Sequence, residues 1–74
     1  MGTVSVQEKG FLKEIGKRIA KFRKSRNMTQ EALSDLCDME QSAIARIEAG
    51  NSNITALNLR KISNALDVPV KKFF

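Results

Sequence analysis

From Glu8 to Arg26 the apolar residues Phe11, Leu12, Ile15, Ile19 and Phe22 recur so as to fall within about 100° of a helical wheel, with Lys9, Lys13, Lys17, Lys21 and Lys24 opposite them. This predicts a first amphipathic helix over residues 8–26, stopped at Asn27, a residue that tolerates the left-handed conformation. Thr29 then reads as an N-cap for a helix over 30–37, with Ala32, Leu33 and Leu36 as its apolar face. Glu31 in its first turn is favoured by the helix dipole. After the break Asp38-Met39-Glu40, a third helix over 41–49 turns Ile44 and Ile47 inward and ends at Gly50. Asn51-Ser52-Asn53 is a polar loop, and Thr55 caps a fourth helix with Leu59, Ile62 and Leu66 at i, i+3, i+7. Pro69 suits the first position of a last short turn through Phe74. With no strand signal, repeat or low-complexity stretch, the pattern predicts an all-α, five-helix domain over residues 8–74, preceded by a flexible segment over 1–7.

Composition narrows what such a domain can do. A chain of 74 residues makes one domain and buries only about 60% of its unfolded surface. A single Cys forms no intrachain disulfide, and without His the usual zinc sites and His-based catalysis are excluded. Cys37 has no base beside it in sequence and reads as a small buried residue. No run approaches a membrane span of about 18 apolar residues, and MGTVSV at the N-terminus lacks the features of a secretory signal or a myristoylation site. The expectation is a soluble, cytoplasmic domain without metal, cofactor or catalytic centre.

The net charge of +5 is unevenly spread. Residues 1–27 carry a net +6, residues 28–50 a net −4 and residues 51–74 a net +3. A surplus of positive charge points to a polyanionic partner, but not one held by the middle third through charge alone. The lysine row of the first helix reads first as a solvated face, with long-range attraction to DNA or to a membrane surface as its alternatives; membrane binding is disfavoured because the apolar face is needed for the core.

Two short helices joined by a tight turn form a helix-turn-helix, and here the residues themselves become informative. Arg23, Met-Thr-Gln-Glu-Ala-Leu (28–33), Asp38-Met39, Gln41-Ser42, Ile44, Ile47-Glu48 and Gly50, followed by Leu59-x-x-Ile62-x-x-Ala65-Leu66-x-Val68, together resemble the lambda-repressor-like (Xre-type) DNA-binding domain. The likeness runs from Gly16 to Phe74. It implies a compact lambda-repressor-like fold and a dimeric transcriptional regulator, a repressor or controller, that binds double-stranded DNA. It also implies that the 41–49 helix enters the major groove of a near-palindromic operator. No small-molecule effector is expected.

The resemblance makes Gln41 the main base reader, and Gln can bond the N6/N7 edge of adenine twice. Ser42, Ala45 and Arg46 are further candidates for base contact: a base edge or phosphate for Ser42, a thymine methyl for Ala45, a guanine or phosphate for Arg46. Gln30 opens the second helix, where its side chain and the free N–H groups can grip a phosphate; family members with both glutamines bond the two together. Lys24, Arg26, Asn51, Ser52, Asn53 and Thr55 are candidates for the sugar-phosphate backbone. Arg23 lies beside the apolar arc rather than among the lysines. The resemblance implies that it pairs with Glu48 as a structural ion pair, with a share in phosphate contact. Leu57 lies off the apolar face of its helix and Phe74 follows a core-facing Phe73, which makes both candidates for a homodimer surface.

Two positions depart from the family. Asp38 stands in place of the usual turn glycine, which Asp can fill because it accepts the left-handed conformation. Glu40 stands where Ser, Thr or Gly commonly caps the recognition helix; its carboxylate either reads a cytosine amino group or opposes DNA. The competing interpretation is a protein-binding module of the same fold, an antitoxin or adaptor.

Overall fold

The computed structural model describes the backbone from Val6 and the side chains from Glu8 to Phe74. The chain forms α1 (Val6–Ser25), α2 (Gln30–Cys37), α3 (Gln41–Ala49), α4 (Ala56–Leu66) and a closing 3-10 turn, Val70–Phe73. The described residues thus hold four α-helices and one 3-10 turn rather than five helices, and no strand. Pro69 precedes the turn as its cap instead of opening it. Of the expected flexible segment, residues 1–5 lie outside the described residues, while Val6 and Gln7 already belong to α1. At its other end α1 stops at Ser25, and Arg26 falls in the turn.

Each helix ends for a local reason. Asn27, Asp38 and Asp67 adopt positive φ of 55–57°, and Gly50 a φ of 75°, so left-handed caps close all four α-helices. The Thr29 hydroxyl accepts the Ala32 N–H at 3.0 Å, and Thr55 accepts the Asn58 N–H at 3.0 Å, each satisfying one of the orphan donors of a helix start. Glu40 precedes α3 without a side-chain cap.

Every element contributes to one core. Phe73, Ile19, Leu33, Ile44, Ile62 and Leu66 are the largest fully buried side chains, each worth about 1.5–3 kcal/mol relative to exposure. α1 packs on α3 and on the 3-10 turn, and α2 packs on both α3 and α4. Two residues of the expected apolar faces lie outside this core: Phe11 is 55% and Leu36 62% exposed. The buried face is turned from the one expected by about 45° on α1 and by about 100° on α2. On α1 it centres on Ile15, Gly16, Ile19 and Arg23, and on α2 on Leu33, Ser34 and Cys37. Ser34 can be buried because its hydroxyl donates to the Glu31 carbonyl at 2.7 Å. Phe11 instead stacks on Phe74, with ring centroids 5.8 Å apart.

Gly16 explains the rotation of α1. A Cβ at this position would meet the backbone carbonyl oxygens of Ile47 and Glu48, so α1 rests directly on the C-terminal end of α3. Gly50 is pressed against Lys13 of α1 in the same way. Gly16→Ala is expected to destabilise the domain by about 1–3 kcal/mol through overpacking. Gly10→Ala, where nothing lies within 4 Å, should instead stabilise it by about 0.5–1 kcal/mol. Urea unfolding of both variants checks this; equal midpoints would contradict the close approach.

Candidate nucleic-acid interface

The turn between α2 and α3 is set by Asp38, whose left-handed backbone lets the Met39 N–H reach the Ser34 carbonyl at 2.9 Å. α3 thereby starts abruptly at Gln41. Gln41 and Ser42 are both exposed on its first turn, with Glu40 exposed just before them. Ala45 is half-buried one turn on, and Arg46 is exposed in the last turn.

The far end of α3 is fixed by charge. Arg23 Nε donates to Glu48 Oε2 at 2.6 Å and its Nη2 to Glu48 Oε1 at 3.0 Å, a two-pronged pairing that suits a planar guanidinium. The two side chains are only 9% and 6% exposed. Arg23 Nη1 donates to the Met28 carbonyl at 2.7 Å, which ties the α1–α2 loop to the same group. Hydrogen bonding to Glu48 drives the Arg23 pKa still higher, against the opposing effect of burial. A guanidinium is in any case effectively always protonated, so Arg23 carries its charge.

Gln30 completes this network. Its Nε2 donates to Glu48 Oε1 at 3.0 Å. The bond to Gln41 that the family resemblance implied is therefore replaced by one to Glu48. An ionised carboxylate only accepts, so the Gln30 amide nitrogen faces inward and its oxygen outward.

The remaining expected site residues separate into groups. Lys24 joins Gln30, Ala45, Glu48 and Ala49 around an open hollow of about 630 Å³ between α1 and α3, which Lys17, Ala20 and Lys21 also line. Arg26 is folded away, its guanidinium 5.7 Å from the centre of the Phe22 ring. Asn51, Ser52 and Asn53 line a second hollow with Lys9, Leu12 and Gly50; Ser52 donates to the Asn53 carbonyl at 3.2 Å. Thr55 is occupied as the α4 cap. Leu57 is 65% exposed on α4, whereas Phe74 is engaged with Phe11 and its carbonyl accepts from Arg18 at 2.8 Å. Lys17 and Lys21 belong to the row expected to be a solvated face or a source of long-range attraction to DNA; no spacing rule says which neighbour a lysine face will meet.

Nothing else in the described residues suggests different chemistry. No group of three or more His, Cys, Asp or Glu is placed to hold a metal among them, and no helix is long and apolar enough to cross a membrane. Cys37 is buried, and burial pushes its thiol pKa up, partly offset by Lys61.

A short helix presenting polar side chains at its start, braced against a preceding short helix, defines the helix-turn-helix class. The chain belongs to that family: the helix-turn-helix family HTH_3 matches residues 19–73. It is 40% identical over 57 residues to the control protein C.BamHI of Bacillus amyloliquefaciens, covering 76% of this chain and 70% of that one. It is 30% identical over 60 residues to the control protein C.MunI of a Mycoplasma species, covering 80% and 81%. In structure it is similar to the restriction-modification controller protein C.AhdI of Aeromonas hydrophila, with a TM-score of 0.83 and 28% identity over 85% of this chain and 96% of that one.

Removing one partner of a buried pair leaves the other charge uncompensated, at a cost of about 3–5 kcal/mol. Arg23→Ala and Glu48→Ala should each destabilise the domain by that amount, and the double variant by much less than their sum. Additive losses in a double-mutant cycle would contradict the coupling.

Proposed function

We propose that this protein is a sequence-specific, double-stranded DNA-binding transcriptional regulator that acts as a homodimer. The observation that carries this reading is the start of α3, where Gln41 and Ser42 stand exposed on a helix whose other end is locked by the Arg23–Glu48 pair. A recognition helix reads base edges in the major groove from its N-terminal residues. Gln41 specifies adenine by a two-bond contact with its N6/N7 edge, and Ser42, Ala45 and Arg46 read neighbouring positions. Glu40 beside them either accepts from a cytosine amino group or opposes the DNA at a cost in affinity.

Phosphates anchor the helix without carrying sequence information. Gln30, Lys24 and the Asn51-Ser52-Asn53 loop supply such contacts; Thr55 contributes the N-terminus of α4, and Arg26 contributes once it swings off Phe22. Arg23 acts mainly through its position. The names of the relatives, control proteins and a restriction-modification controller, support a regulator of transcription over a protein-binding module.

A single α3 spans few base pairs. In this class two copies read half-sites about 10 bp apart, and exposed Leu57 on α4 is the surface we assign to pairing. The stacked Phe11–Phe74 pair contributes to that surface only as a unit. Sedimentation of the wild type should show a dimer at micromolar concentration and Leu57→Lys should shift it to monomer; a monomeric wild type would contradict the assignment.

Binding to a selected duplex should weaken steeply with salt, log K falling by about 0.9 per phosphate contacted. Gln41→Ala should lose about 1–3 kcal/mol of discrimination at one base pair per half-site. Fluorescence anisotropy with single-base variants of the duplex measures both. A Gln41→Ala protein with unchanged base preference would overturn the reading, and salt-insensitive binding would favour the protein-binding module.

A further inference from the structure

We propose that Lys17 and Lys21 of α1, together with Lys24, form a phosphate-gripping strip that holds the DNA backbone alongside the α3 reading surface. The inference rests on the DNA-binding reading above and adds two residues to it. Lys17, Lys21 and Lys24 line the hollow of about 630 Å³ whose other wall is made by Gln30, Ala45 and Ala49. The lysines are thus on the same concave surface as the expected phosphate contact Gln30 and the expected base contact Ala45. The three alanines at positions 20, 45 and 49 contribute only methyl groups to this surface.

The charge of the hollow is positive once its acid is accounted for. Both oxygens of Glu48 are used, by Arg23 and by Gln30, and the nearby Glu14 is bonded to Arg18. Among the described residues no carboxylate lies within ion-pair distance of Lys17, Lys21 or Lys24. Lys17 and Lys21 also border a third hollow lined by Glu14, Arg18, Phe22 and Lys72, in which the acid is bonded to Arg18, so basic groups continue around the helix from the α3 side.

Like charges at i, i+4 destabilise a helix, and Lys9, Lys13, Lys17 and Lys21 repeat that spacing. Among the described residues no carboxylate is in ion-pair distance of Lys17 or Lys21, and an anion laid along the row would relieve the repulsion between them. Four residues of helix rise about 6 Å, and one DNA strand carries a charge about every 3.4 Å of axis. Two lysines one turn apart can therefore reach different phosphates of a single strand. Lysine reads phosphate as a point charge, so the strip adds affinity and salt dependence without base preference.

The test compares the wild type with Lys17→Gln/Lys21→Gln, Lys17→Arg/Lys21→Arg and the charge-matched control Arg60→Gln/Lys61→Gln, whose positions do not line the hollow. Anisotropy is measured across a salt series on a duplex selected by the wild type from a random pool, and on a scrambled duplex of equal length. Thermal unfolding verifies that each variant folds. The expected result is a log K versus log salt slope shallower by about 1.8 per bound protomer, and so by about 3.6 for the homodimer, in the Lys17→Gln/Lys21→Gln variant, with the selected-to-scrambled ratio unchanged. The arginine variant and the control should retain the wild-type slope. An unchanged slope in the glutamine variant, or an equal loss in the control, would overturn the strip while leaving the DNA-binding reading intact. If the arginine variant folds but loses the slope, the charge-based account is overturned. A wild type that does not separate the selected from the scrambled duplex overturns the reading itself and the strip with it.

Discussion

The guanidinium of Arg23 is the point on which the arrangement of the first three helices depends. It belongs to α1, bonds both carboxylate oxygens of Glu48 at the end of α3, and holds the Met28 carbonyl in the loop before α2. Gln30 at the start of α2 bonds the same carboxylate. Three helices therefore meet at one buried pair of charges. Such a pair gains little over a well-packed apolar contact. Its value here lies in direction, since a forked donor and a two-oxygen acceptor accept few relative orientations. The absence of a Cβ at Gly16 allows α1 to come near enough for the pair to close.

This constraint also changes what the overall charge means. The helix-turn-helix itself is acidic, with a net −4 over residues 28–50, an awkward balance for a DNA reader. Packing α1 against α3 carries Lys17, Lys21 and Lys24 to the edge of the α3 surface, while Glu48 spends its charge on Arg23. The basic groups and the exposed polar groups of α3 come from different parts of the chain. The fold, rather than the local sequence, brings them together.

Much of this was legible from the residues alone. The bounds of α2 and α3 follow from Thr29, Asp38 and Gly50, because caps and left-handed stops are local chemistry that a few residues determine. The buried positions Leu33, Ile44, Ile47, Ile62 and Leu66 follow equally from periodicity. Phe11 and Leu36 did not, and they share a cause. A wheel ranks residues by apolarity, yet the inner faces of α1 and α2 are centred partly on Gly16, Arg23 and Ser34, which apolarity ignores. A glycine that permits contact, a serine satisfied by its own helix and a paired arginine each turn a helix toward a neighbour. The direction of Gln30 was hidden for a related reason: it depends on a carboxylate 18 residues away. The last segment, too short for an α-helix of its own, closes as a 3-10 turn that buries Phe73.

The central claim is that two copies of this braced α3 read a duplex. Selection of bound sequences from a random pool of double-stranded DNA by the wild-type protein tests it most directly. The account predicts recovery of two related half-sites with inverted symmetry, their centres about 10 bp apart, each holding an adenine at a fixed place for Gln41. Recovery of sequences with no shared pattern would contradict it.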